Sequence, residues 1–200
     1  MRDPMVAANG QRPTAVQISR LNWGFFVASI LVGAPWAALN TIAMPNAVAR
    51  LFDYDTASAI SVTINPSTGR PLPVATDLVM PLAVLVVVGV VASMFAMPLV
   101  SALSDRTRIP LGRRTPWMVA GGVLCALITL VLGQNTGLVV LCFFWALMQF
   151  AYAMISVPLA SAISERVPDK FRPCIERWHG IGVMLGQALG VCMGALGVMF

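Results

Sequence analysis

Four long stretches without a single charge constrain this chain more than any other feature. No Asp, Glu, Lys or Arg occurs from Leu21 to Ala49, from Leu78 to Ser104, from Thr115 to Ser164, or from Gly180 to Phe200. A helix crossing the hydrocarbon core of a bilayer needs about 20 apolar residues. The Thr115–Ser164 run is too long for one crossing, and the turn-forming Gly133-Gln134-Asn135-Thr136-Gly137 divides it. Five spans are therefore expected, at about 21–44, 77–103, 116–132, 138–163 and 178–200, behind a polar tail over 1–20. Composition agrees: 10% of residues are charged, where soluble domains carry about 25%. The expected fold class is an all-α membrane protein.

The distribution of the positive charge decides what it is for. A net charge of +5 could serve a nucleic acid, but the basic residues collect in alternate loops. Eleven of the 13 Lys and Arg residues lie before the first span, between the second and third, and between the fourth and fifth. That bias places these segments, and the N-terminus, on the cytoplasmic side of the cytoplasmic membrane. Trp23, Trp117 and Trp178 stand at the same edge, as an interfacial aromatic belt requires. The expected partners are the lipid bilayer and a small molecule, with no nucleic acid.

Three of the four cysteines fall inside spans and Cys174 in a reducing loop, so no disulfide framework is expected. No His or Cys pair has metal-ligand spacing, and no metal or cofactor is implied. The first apolar run exceeds the 7–15 residues of a signal peptide. No Ser–His–Asp set, phosphate-cradling glycine loop or buried carboxylate pair speaks for an enzyme. His179, beside Trp178 at a helix start, reads as an interface or capping residue rather than a proton relay.

The densest polar stretch is Ser104-Asp105-Arg106-Thr107-Arg108-Ile109-Pro110-Leu111-Gly112-Arg113-Arg114-Thr115-Pro116-Trp117. Gly and Pro make it a tight turn between two apolar helices. Asp-Arg, a spacer, Gly-Arg-Arg and Pro-aromatic resemble the loop between helices 2 and 3 of major facilitator superfamily transporters. The longer spacer is most similar to the sugar–cation symporters, of the sucrose–proton or glycoside–pentoside–hexuronide type. Pro35-Trp36-Ala37-Ala38-Leu39 and Pro98-Leu99-Val100 resemble the sucrose branch, and Glu165-Arg166-Val167-Pro168-Asp169-Lys170-Phe171-Arg172 resembles a second cytoplasmic signature. The chain departs from these patterns in three places. Ser101 stands for a usual Gly, Pro173 for another, and Ser93 and Met97 replace the two carboxylates of the glycoside branch. Sodium coupling loses its ligands there.

The resemblance implies five helices forming most of the N-terminal six-helix half of a major facilitator fold, an incomplete half-transporter. The missing C-terminal half would then be a required partner. It implies that Asp105, Arg106, Gly112, Arg113 and Arg114 act as a conformational latch, with Glu165, Pro168 and Arg172 in the second loop motif. A neutral polyol calls for amides, hydroxyls and an aromatic face. Inside the spans, Trp36, Asn40, Gln149 and Tyr152 are the candidates, with Thr41 and Trp145 beside them. Gly182, Gly186, Gly190 and Gly194 recur every four residues along one helix face, where small residues let a neighbouring backbone approach. The expected function is secondary active transport of a sugar-like solute by alternating access, coupled to protons. The alternatives are a non-transporting membrane interaction protein or truncated product, and an exporter of the same superfamily.

Overall fold

The computed structural model describes residues 14–51, 76–107, 114–134 and 137–199, and the described residues form only helices and short turns. The five long apolar helices are α1 (Ala15–Leu51), α2 (Thr76–Arg106), α3 (Thr115–Leu132), α4 (Leu138–Arg166) and α5 (Arg172–Met199). Lipid offers no hydrogen bonds, so a crossing segment must satisfy its backbone internally, which helices do. The chain is thus an all-α membrane protein.

Two boundaries differ from expectation, each for a local reason. The helix α1 begins at Ala15, six residues before Leu21, because Thr14 and Gln17 form a capping box. The Gln17 N–H donates to Thr14 Oγ1 at 3.4 Å and the Thr14 N–H to Gln17 Oε1 at 3.0 Å. The same helix runs past Met44 and through Pro45 to Leu51. A proline there should end it, since it lacks a donor and crowds the carbonyl four residues back. A π-helical turn over Leu39–Ala43 inserts the needed slack, with the Met44 N–H reaching Leu39 O. Side chains serve the carbonyls of the turn before it: Asn40 Nδ2 donates to Trp36 O at 2.9 Å and Thr41 Oγ1 to Ala37 O at 2.7 Å.

The last helix also starts early, at Arg172 rather than 178. Val167–Phe171 turns tightly, with the N–H groups of Phe171 and Arg172 both donating to Pro168 O. Glu176 and Arg177 then lie on the exposed first turns of α5 instead of in a loop. Pro116 is at the start of α3, where its missing N–H costs nothing, and Gly133 closes that helix.

The helices pack as two groups. In one, α1 and α5 lie side by side and parallel; in the other, α4 lies between α2 and α3. The glycine stripe explains the first. A Cβ on Gly182 would stand 2.6 Å from Phe26 O, one on Gly186 2.8 Å from Ile30 O, and one on Gly194 2.7 Å from Ile42 Cδ1. One on Gly190 would run into the Ala34 carbonyl. Glycine meets backbone from Gly182 to Gly190, and Gly194 meets the Ile42 side chain. In the second group Gly121 does the same work: its Cβ would lie 2.8 Å from Ala151 O.

A core of Met44, Val48, Leu85, Leu141, Trp145 and Met148 joins the groups at the Arg50 end. Phe25, Leu159, Ile163, Val167 and Ile175 join them at the Asp105 end. Outward faces stay apolar: Met94, Leu130, Val139 and Met184 are each at least 70% exposed. Water would penalise such surfaces; lipid does not.

Candidate functional site

The cavity between the two groups is built by helical spacing. Trp36, Asn40 and Met44 succeed one another at intervals of four on α1, and Trp145 and Gln149 do so on α4. With Leu85, Gly89 and Ser93 of α2 they enclose about 450 Å³, within the range of small-molecule sites, about 300–1,000 Å³. None of the residues lining it is charged. Gln149 is 8% exposed, and its amide opens onto this space.

Three rings form one wall. Tyr152 stacks on Trp36 with centroids 3.8 Å apart and planes 14° off parallel. Trp36 and Trp145 are parallel within 5° at 6.0 Å. Gly89 makes room for that wall, since a Cβ there would lie 2.6 Å from Trp145 Nε1 and 3.0 Å from Gln149 Nε2. The missing side chain lets an indole N–H and an amide converge on one point of α2. Of the four expected binding residues, Trp36, Asn40 and Gln149 thus share the cavity, and Tyr152 supports it from behind Trp36. Thr41 turns back to its own helix. A second cavity of about 510 Å³ lies on the other side of the π-helical turn, where Asn46, Arg50, Thr129 and Gln134 meet, and Met44 borders both.

The polar end of the molecule is tied across three helices. Asp105, at the end of α2, pairs with Arg114 at 3.7 Å, and Arg114 Nη1 donates to Pro158 O of α4 at 3.4 Å. Arg114 occupies the N-cap position of α3. The base of the loop is closed by Trp117 Nε1 donating to Thr107 Oγ1 at 2.9 Å. The Thr107 hydroxyl in turn donates to Leu103 O at 2.9 Å. Arg106 is exposed on the last turn of α2. Gly112 and Arg113 lie outside the described residues.

In the second loop Arg172 bonds Asp169 at 2.7 Å and donates to Ser164 O at 2.8 Å, closing the end of α4. Pro168 is buried beside it, while the Glu165 side chain is not among those described. His179 does not cap a helix. It lies two turns inside α5, where Nδ1 meets the buried Ser29 hydroxyl of α1. The sequence reading missed Pro158, Thr107, Gly89 and Ser29; each matters through a contact with another helix.

Residues 75–199 match the sequence profile of a family described as MFS/sugar transport protein, a match that runs from α2 through α5. No curated protein and no solved structure matches the chain. A profile spanning more than half of the chain, on five helices of membrane-crossing length, is decisive: the chain belongs to the MFS/sugar transport protein family.

Proposed function

We propose that the protein is a secondary transporter that carries a neutral, sugar-like solute across the cytoplasmic membrane by alternating access, driven by protons, with its N-terminus in the cytoplasm. The observation that carries this reading is the uncharged cavity with an aromatic wall and two amides. A sugar ring offers an apolar face to an indole and hydroxyls to an amide. A charged solute would enter such a site without a counter-ion and lose its hydration for nothing. The Asp105–Arg114–Pro158 tie is read as the latch that holds one conformation. The family assignment supports the solute class.

Uptake of a radiolabelled panel of neutral mono- and disaccharides, amino acids and organic anions, by cells expressing the protein, tests this. At least one sugar should accumulate, and Gln149→Ala should raise its half-saturation concentration about five- to tenfold, the worth of one hydrogen bond. Uptake confined to amino acids or anions, or a sugar affinity indifferent to both Gln149→Ala and Trp36→Ala, overturns the assignment.

A further inference from the structure

We infer that His179 is a proton-binding site whose occupancy sets how tightly α5 is clamped on α1. Ser29 Oγ lies within hydrogen-bond distance of two groups at once, the Phe25 carbonyl of its own helix and His179 Nδ1 of α5. The hydroxyl has one hydrogen, and a carbonyl can only accept. With Oγ–H given to Phe25 O, Nδ1 must carry a hydrogen and donate it to Oγ. The imidazolium meets that demand in every orientation of its proton, because both of its nitrogens are donors. The neutral ring meets it only as the Nδ1–H tautomer. As the Nε2–H tautomer, its Nδ1 is an acceptor, and Ser29 must abandon either Phe25 or His179. Held as the Nδ1–H tautomer, the ring keeps this bond when neutral, and proton binding strengthens it to a charge-assisted one across the seam.

The placement makes that bond consequential. Ser29 is 1% exposed, and a Cβ on Gly182, one turn after His179, would lie 2.9 Å from Ser29 Cβ. The two helices are in close contact at this point of the seam. His179 itself is half-buried, so its outer edge can exchange protons. Glu176, one turn before it on α5, is exposed. Arg177 is exposed on the same helix, and Arg172 is tied to Asp169. On α1 the charged residue at this end is Arg20, nine positions before Ser29, about 13 Å along the axis at 1.5 Å per residue. Across the same seam Trp23 and Trp178 are in ring contact, with centroids at 6.4 Å. The site would supply the proton coupling proposed above and rests on that reading only for its effect on transport.

The chain contains one histidine, which makes the test direct. Nitrogen NMR of the ¹⁵N-histidine-labelled full chain in lipid nanodiscs should show hydrogen on Nδ1 throughout the titration. Ser29→Ala removes the acceptor and should move the titration towards lower pH by about half to one unit, the worth of one hydrogen bond. Tryptophan emission should follow the same titration and become flat in His179→Gln. A neutral ring with bare Nδ1, or a titration that Ser29→Ala leaves in place, overturns the inference. Sugar uptake against pH is measured separately: a normal His179 titration with pH-independent uptake removes proton coupling from the function and leaves the site.

Discussion

In the latch proposed for Asp105 and Arg114, a weak contact would carry a strong effect. Asp105 remains 53% exposed and its pair with Arg114 is 3.7 Å long, the kind of ion pair that contributes a few tenths to about 1 kcal/mol. Such a bond barely changes stability. It changes a balance between two packed states by up to about fivefold, because 1 kcal/mol is that factor in an equilibrium. Arg114 is the buried partner, 13% exposed, and it also serves Pro158 of α4. Its removal costs more. We expect Asp105→Asn to shift the thermal midpoint by less than about 2 °C while lowering sugar uptake severalfold. Arg114→Gln should lower both, because the Pro158 carbonyl loses its guanidinium donor. Surface biotinylation would verify that both variants reach the membrane. Equal loss of folding in the two variants would mean that the contact is structural and not a switch.

The helices were legible to the extent that lipid alone dictates them. Charge-free runs of membrane length can do little else than cross, and turn residues at Gly133–Gly137 separate two crossings. Helix ends follow from local contacts that a charge count overlooks. Thr14 and Gln17 have the spacing of a capping box inside a stretch that reads as polar tail. The π-helical turn that carries α1 through Pro45 depends on Asn40 and Thr41 returning to their own backbone. The candidate binding residues were visible as chemical types, amides and aromatics inside spans; which faces meet is a property of packing. Ser29 looks like any small residue until His179 is seen against it. The glycine stripe was readable as a face, but its neighbour was not. That neighbour is α1, at backbone contact. An alanine at Gly190 cannot be absorbed by a flexible side chain, since it meets the Ala34 peptide. We expect Gly190→Ala to destabilise by about 1–3 kcal/mol, the usual range for overpacking. Gly122→Ala, with nothing within 4 Å of its Cβ, should stay within about 0.5 kcal/mol of the parent. Thermal unfolding in detergent micelles would check the pair, and equal shifts would disprove the backbone seam.

At the scale of the molecule, two helix groups meet at an aromatic wall and at opposite ends present very different chemistry. One end gathers Arg20, Arg106, Arg114, Arg166, Lys170, Arg172 and Arg177, with Trp23, Trp117 and Trp178 at its margin; the other, among the described residues, has only Arg50. Positive charge is retained on the inner side during insertion, each centrally placed Arg or Lys costing about 2.5–3.5 kcal/mol to bury. Seven such residues against one favour the orientation proposed above. The proposed latch fits the same orientation, since Asp105 lies at the end where α1 also begins. Native Cys174 is exposed at the basic end, whereas Gln134 follows α3 at the other. In a background where Cys125, Cys142 and Cys192 are replaced by Ala, a membrane-impermeant maleimide added to intact cells should leave Cys174 unlabelled until the membrane is permeabilised. With Cys174 also replaced, Gln134→Cys should be labelled at once. The reverse pattern would turn the molecule over, put the Asp105 tie outside the cell and leave the basic charge unexplained. Labelling of both from outside would mean a mixed orientation and would overturn the charge argument as well.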